Sequence, residues 1–146
     1  MKNKAFTLIE LIFTIVIIGV LASVAIPKFA GLSENSKITS ELSTASSIQV
    51  AIDSCHGEWI INEGSFTCGK SIDGQNDLTD EGYPKKSTLL TKLLGNLIDW
   101  SSDDNISYKG PASNSNSGTS KCKDNKPCIG KHWDYNETTG SFTLTS

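Results

Sequence analysis

Residues Phe6 to Ile26 read FTLIELIFTIVIIGVLASVAI, a continuous apolar run that begins close to Met1. Glu10 is the one ionisable residue within it. As an α-helix the segment would span about 30 Å, which is the thickness of the hydrocarbon core of a bilayer. The composition therefore predicts a membrane-spanning helix at the start of the chain.

Glu10 distinguishes this segment from a simple membrane anchor or a secretory signal. A carboxylate near the start of a membrane helix costs about 2.5–3.5 kcal/mol, so it is usually paired and functional. A signal peptide has a shorter apolar core followed by a small-residue cleavage site, which Ala22–Ala25 imitates. Lys2 and Lys4 precede the segment and predict that this end stays in the cytoplasm.

The residues from Lys4 to Leu11, KAFTLIEL, continue through Gly19 to Pro27 in a pattern that resembles the N-terminus of type IV prepilins and type II secretion pseudopilins. In that family a membrane-embedded aspartyl peptidase cuts before the Phe and methylates the new amine. The resemblance implies cleavage between Ala5 and Phe6 and N-methylation of Phe6. Family members usually have Gly before the cut, whereas this chain has Ala5, another small residue.

The resemblance also implies an assembly role, in which Glu10 neutralises the N-terminal ammonium of a neighbouring subunit. The expected function is that of a structural subunit of a homo-oligomeric helical filament, with no enzymatic activity. The implied partners are the membrane, prepilin peptidase, an assembly platform protein, a cytoplasmic assembly ATPase and an outer-membrane secretin. The alternatives are a type II secretion pseudopilin that drives protein export, and a minor or tip pilin that binds DNA or a surface.

The resemblance implies a leader at residues 1–5, and composition separates a transmembrane and assembly helix (6–27) from a globular domain (28–146). The globular domain is expected in the periplasm or in a cell-surface filament. Pro27 predicts a bend, because its ring removes a backbone hydrogen bond. Beyond it an apolar stripe at helical spacing predicts that the helix continues to about residue 54. Its members are Ile38, Leu42, Ala45, Ile48 and Ile52.

The remainder of the chain predicts an α+β pilin-like fold, in which a small antiparallel sheet covers the amphipathic half of the helix. Residues 58–61 are strand-like, and Pro84 and a candidate N-cap at Ser87 introduce a leucine-rich second helix that extends to Ile98. The segment from Ser113 to Ser120 reads as a mobile surface loop.

The C-terminal sequence predicts a β-hairpin. Trp133 and Tyr135 alternate with polar residues, Asn136–Gly140 supplies the turn, and Phe142 and Leu144 alternate again. Ile106 and Tyr108 are candidates for a further strand of the same sheet.

Four cysteines in a small exported domain favour disulfides over a metal site. Three connectivities are possible, and we favour the sequence-local pairs Cys55–Cys68 and Cys122–Cys128. Zinc is the rival interpretation, but the chain has no Cys-x-x-Cys spacing, so we expect none.

Two loop motifs suggest ligands. Gly64–Ser71 satisfies the P-loop pattern, but it runs into a loop sequence rather than a helix, so we reject nucleotide binding. Asp73, Asp77, Asp80 and Glu81 form a candidate calcium site, although their spacing is not that of an EF-hand and we favour a solvated acidic loop.

Two surface features remain. Asn105 and Asn136 begin Asn-x-Ser/Thr sequons, each with Asp two residues before the Asn, as in the extended acceptor of bacterial N-glycosylation. The lysines near the C-terminus form a basic patch, yet the formal net charge is −3, and we do not expect nucleic acid as a partner. The patch consists of Lys121, Lys123, Lys126 and Lys131 beside His132 and Trp133.

Overall fold

The computed structural model of the chain contains a long helix and small antiparallel sheets. It describes residues 6–62, 67–68, 72–73, 76–88, 92, 97, 99–102, 107–114 and 125–146, with the backbone alone at Ala30, Thr67 and Asp73. The chain divides into two compact units, Met1–Asn35 and Ser36–Ser146. The described elements are α1 (Leu8–Ile61), β1 (Thr67–Cys68), β2 (Ile72–Asp73), α2 (Lys86–Thr88), β3 (Ser101–Ser102), β4 (Ser107–Lys109), β5 (His132–Asn136) and β6 (Ser141–Thr145).

Helix α1 begins after Thr7, whose carbonyl accepts hydrogen bonds from the backbone of Glu10 at 3.1 Å and of the following residue at 3.2 Å. It ends at Ile61, beyond which the backbone N and the Nδ2 of Asn62 both donate to the Glu58 carbonyl. The helical conformation continues through Pro27. A bend at that proline stays a prediction.

The strand expected at residues 58–61 is wrong, because α1 continues past residue 54 and includes them. Cys55 and Trp59 lie four residues apart, so they share one face of the helix. Both pack in a small core cluster with Cys68, Ile72 and Leu78. Packing of that helical face outweighs the preference of Trp and Ile for strands.

The four-stranded sheet has the strand order β3–β4–β5–β6, with every neighbouring pair antiparallel. Strands β5 and β6 form the expected hairpin, in which Trp133 lies opposite Leu144 and Tyr135 lies opposite Phe142. Tyr108 lies in β4 as expected, whereas Ile106 lies outside the described residues. The α+β prediction is confirmed.

The main core of the second unit forms between α1 and this sheet. Ala45, Ile48 and Ile52 of the predicted stripe are buried, and Leu42 is partly buried against them. The sheet contributes Tyr108, Trp133, Tyr135 and Phe142. The Trp133 and Phe142 rings are stacked, with centroids 5.4 Å apart. The face of α1 that carries the apolar stripe is therefore the face that packs on the sheet, as the stripe predicts.

The segment from Asn76 to Thr88 is tied to the sheet by tyrosine hydroxyls. Tyr135 donates to the Pro84 carbonyl at 2.7 Å, and Tyr108 donates to the Lys86 carbonyl at 3.2 Å. Ser87, expected as an N-cap, lies inside α2. Most of the leucine-rich stretch that follows lies outside the described residues.

Strand β6 is an edge of the sheet, and the side chain of Gln49 covers part of that edge. Its Nε2 donates to the Gly140 carbonyl at 3.0 Å, and its Oε1 accepts from the backbone N of Phe142 at 2.9 Å. A carboxamide carries the same donor and acceptor as a peptide group, so Gln49 replaces one position of a neighbouring strand.

Two glycines in turns lie directly against aromatic rings. A Cβ at Gly82 would lie 2.3 Å from the Trp59 ring, and one at Gly140 would lie 2.3 Å from the Tyr83 ring. Both glycines also have positive φ, at 81° and 69°. The His56 ring stacks on Tyr83, with centroids 4.1 Å apart. These contacts join the end of α1 to two loops of the second unit.

Candidate functional site

The N-terminal segment exposes its apolar side chains along its whole length. Leu8, Ile9 and Phe13 are each about two-thirds exposed or more. The helix is long and apolar enough to cross a membrane, and none of its most apolar window is buried. Thr14 and Ser23 donate their hydroxyls to carbonyls of their own helix, at 2.8 and 2.7 Å. The segment therefore satisfies its hydroxyl groups internally and presents hydrocarbon outward, as lipid or a packed helix bundle requires.

Glu10 lies in the first turn of α1, where a negative charge is favoured by the helix dipole. Its closest described partner is the Thr7 hydroxyl at 3.5 Å, a weak hydrogen bond. Within the described part of the chain, the ion pairs do not include Glu10. Of the predicted cleavage pair, Phe6 is exposed ahead of the helix, and Ala5 lies outside the described residues.

Glu41 forms a fully buried polar site that sequence reasoning missed. Its Oε2 accepts the backbone N–H groups of Ala112 at 2.7 Å and Ser113 at 3.0 Å. Its Oε1 accepts the Ser113 hydroxyl at 2.7 Å and the indole Nε1–H of Trp133 at 2.8 Å. Four donors satisfy the carboxylate, so its burial is tolerated. The same hydrogen bonds join α1 to the turn at residues 110–114 and to β5.

Two neighbouring features shape this site. A Cβ at Gly110 would lie 2.6 Å from the Glu41 Cγ, so glycine allows the turn to approach the helix. The Gly110 N–H donates to the Ser113 hydroxyl at 3.1 Å. Ser113 is therefore buried, and its assignment to a mobile surface loop is wrong; residues 115–120 lie outside the described residues. Glu41 is three residues after Ile38 and four before Ala45, so its place on the apolar stripe was the available signal.

The predicted Cys55–Cys68 disulfide is confirmed, with the two Cα atoms 5.4 Å apart. Cys128 is also disulfide-bonded, and its expected partner, Cys122, lies outside the described residues. The disulfide of β1 lies within the rejected P-loop motif, and β2 rather than a helix follows that motif.

The carboxylates of the acidic loop lie in different surroundings. The carboxylate of Asp77 is buried and forms an ion pair with Lys92. Asp80 and Glu81 are exposed, and only the backbone of Asp73 is described. Across the described ranges, His, Cys, Asp and Glu side chains do not assemble in groups of three or more. Calcium binding by this loop stays untested.

The remaining surface predictions lie partly within the described residues. Asn136 is exposed at the end of β5, whereas Asn105 lies outside the described residues. Lys126 is exposed and Lys131 half-buried, while Lys121 and Lys123 lie outside them. His132 approaches Asp134 at 3.2 Å, which places a carboxylate beside the basic patch.

Comparisons with known proteins match the N-terminal segment and part of the second unit. Residues 1–26 match the prokaryotic N-terminal methylation motif. The chain is 32% identical over 89 residues to the type IV narrow pilus major component PilA5 of Thermus thermophilus, covering 54% of this chain and 77% of that protein. It is 30% identical over 113 residues to a fimbrial protein of Pseudomonas aeruginosa, covering 66% and 73%.

A further similarity is to a probable minor fimbrial protein of Dichelobacter nodosus, at 34% identity over 77 residues. That alignment covers 51% of this chain and 48% of the relative, so the chain spans about half the length of that protein. No solved structure matches the chain significantly.

The exposed apolar helix, its methylation motif and the α+β second unit define a pilin-like protein class. Two fimbrial proteins that are at least 30% identical to this chain, and are aligned over more than two-thirds of their own length, identify the family within that class. The chain belongs to the type IV pilin family.

Proposed function

We propose that the chain is a structural subunit of a type IV pilus-like helical filament. One observation carries the proposal: an exposed apolar helix within a methylation motif bears Glu10 as its one charged residue. Such a surface requires either lipid or the matching helices of other subunits. The names of the similar proteins, which include major and minor fimbrial components, support the same function.

Assembly follows from the repetition of one contact. When the same heterologous contact repeats without closing a ring, it generates an open helical polymer. Moving an apolar helix from lipid into a bundle of like helices gains little hydrophobic free energy, because both surroundings are apolar. Growth therefore depends on a membrane platform protein and an assembly ATPase, with a secretin as the outer-membrane partner.

Processing prepares the subunit for that contact. Prepilin peptidase removes Met1–Ala5 and methylates the new amine of Phe6. The ammonium group then pairs with Glu10 of a neighbouring subunit, which offsets the cost of placing a carboxylate in an apolar segment. Lys2 and Lys4 hold the precursor's N-terminus in the cytoplasm, so the second unit lies in the periplasm or in the surface filament.

Mass spectrometry of the assembled protein tests this proposal. We expect loss of residues 1–5 and one added methyl group on Phe6. A mature protein that begins after Ala25, or filaments that retain the leader, would contradict it.

A minor pilin is the second candidate, favoured by the similarity to a probable minor fimbrial protein. Deleting the gene and scoring surface filaments, protein secretion, motility and DNA uptake separates the candidates. Loss of filaments supports a major subunit, and loss of secretion alone supports a pseudopilin. Loss of DNA uptake with intact filaments, reproduced by Gln at Lys121, Lys123 and Lys126, supports a DNA-binding minor pilin.

A further inference from the structure

The turn between β5 and β6 carries the second Asn-x-Ser/Thr sequon on the outer side of the sheet. Trp133 and Tyr135 of β5 are buried, so the alternating residues Asp134 and Asn136 face outward. Thr138, in the turn that follows, is exposed as well. The three side chains that an extended bacterial N-glycosylation acceptor requires are therefore all on the solvent side.

The residue between Asn136 and Thr138 anchors this turn from the opposite side. The Oε2 of Glu137 accepts the backbone N–H of Lys86 at 3.0 Å, and its carbonyl accepts the Thr79 hydroxyl at 3.4 Å. The turn is thus fixed to the rest of the unit by Glu137 and leaves the two sequon side chains accessible.

The carboxamide of Asn136 is held in one orientation. Its Oδ1 accepts the backbone N–H of Thr138 at 2.9 Å and that of Thr139 at 3.3 Å, which closes an Asx-turn over the sequon. Among the described residues, the Nδ2 group of Asn136 makes no hydrogen bond. The nitrogen that a glycosyltransferase must reach is therefore the free end of a carboxamide already positioned by its oxygen.

We propose that Asn136 is an N-glycosylation site whose acceptor sequence is Asp134–Thr138. The donor is an oligosaccharide linked through pyrophosphate to a membrane lipid. Nδ2 attacks the anomeric carbon of the first sugar and forms the N–C bond as the C–O bond to pyrophosphate breaks. The lipid pyrophosphate leaves with that electron pair, and Nδ2 releases one proton to a base of the transferase. Asp134, with its side chain 39% exposed, is the acidic recognition residue.

The test expresses the full chain in bacteria that carry an oligosaccharyltransferase of the acid-requiring type and its lipid-linked donor. Trypsin cleaves after Lys131 and after Lys109, so Asn136 and Asn105 fall in different peptides. We expect the peptide of residues 132–146 to gain the mass of one oligosaccharide.

Matched variants assign the gain to the proposed residues. Asn136→Asp retains the Oδ1 acceptor of the turn but lacks the amide, so the modification should be lost while the fold is kept. Asp134→Asn and Thr138→Val should lose it as well, whereas Thr138→Ser and the neighbouring Thr139→Val should retain it. An unmodified 132–146 peptide in cells that glycosylate a control acceptor would overturn the proposal. Full modification of Asp134→Asn would overturn it too.

Discussion

Glu41 organises its surroundings because its carboxylate, on α1, accepts hydrogen bonds from two other parts of the chain. The backbone N–H groups come from the turn at residues 110–114, the indole N–H comes from β5, and the acceptor itself belongs to α1. A buried donor without an acceptor is costly. Removal of the Glu41 carboxylate should therefore destabilise the fold mainly because its donors would stay buried without a hydrogen bond.

We predict that Glu41→Leu lowers the free energy of unfolding by roughly 3 kcal/mol or more, because it leaves four buried donors without an acceptor. Urea unfolding in detergent, followed by tryptophan fluorescence, measures the loss. Glu58→Leu on the same helix is the matched control, since Glu58 is exposed. Equal unfolding midpoints for the two variants would show that the Glu41 contacts add nothing.

Tyr135 gives the fold a dependence on alkaline pH. Burial, followed by the nearby Glu137 carboxylate, raises the pKa of Tyr135 well above its ordinary value of 10. Because the unfolded chain releases this proton first, stability should fall as the pH rises above about 10.

Tyr135→Phe tests that dependence. At pH 8 the variant should be about 1 kcal/mol less stable than the wild type, because the Pro84 carbonyl loses its donor. At pH 11 the gap should narrow, since phenylalanine has no proton to release. Unfolding curves at the two pH values measure the difference, and a gap that stays constant would contradict the pKa argument.

The pairing proposed for Glu10 predicts an assembly defect without a folding defect. Glu10→Ala should insert in the membrane and fold normally but produce few filaments, counted by electron microscopy of sheared preparations. Thr14→Ala is the control in the same segment, because the Thr14 hydroxyl donates to a carbonyl of its own helix. Filaments of normal number and length from Glu10→Ala would show that the carboxylate is incidental.

At the scale of elements, the Cys55–Cys68 bond links the last turns of α1 to β1 across a sequence separation of 13 residues. Closing a loop of that size should stabilise the second unit by about 3 kcal/mol through the entropy of the unfolded chain. We therefore predict a loss of this order in the Cys55→Ser/Cys68→Ser double variant, measured by urea unfolding. Non-reducing peptide mapping of the wild type should recover the linked pair, and free thiols at both positions would refute the prediction.

Regular periodicity made much of the architecture predictable from the sequence. The stripe from Ile38 to Ile52 gave the buried face of α1, and alternation from Trp133 to Leu144 gave the β-hairpin. The end of α1 was misjudged because Glu58–Ile61 has local strand preferences that the packing of Trp59 overrides. Glu41 was missed because a charged residue on an apolar stripe has meaning only when its donors, seventy or more positions away, are known.

At the scale of the whole molecule, the two units differ in where their apolar side chains lie. Met1–Asn35 exposes hydrocarbon along its helix, whereas Ser36–Ser146 contains both buried clusters and the described disulfides. Composition places the boundary between the apolar helix and the globular domain after Pro27, whereas the two compact units divide after Asn35. We therefore expect the requirement for lipid or detergent to arise from the first unit.

We predict that a chain beginning at Ser36 is soluble and monomeric without detergent, because most of its described apolar side chains are buried or half-buried. The full chain should require detergent or lipid. Size-exclusion chromatography with light scattering measures both states. Detergent-dependent solubility of the shorter chain would show that apolar surface outside the first unit also drives association.

The two turn glycines that touch aromatic rings have an evolutionary consequence. Gly82 lies against Trp59 and Gly140 lies against Tyr83, and both glycines have positive φ. A side chain at either position would therefore meet both an aromatic ring and a strained backbone. Homologues should therefore retain glycine at both positions even where the facing ring is replaced by a smaller side chain.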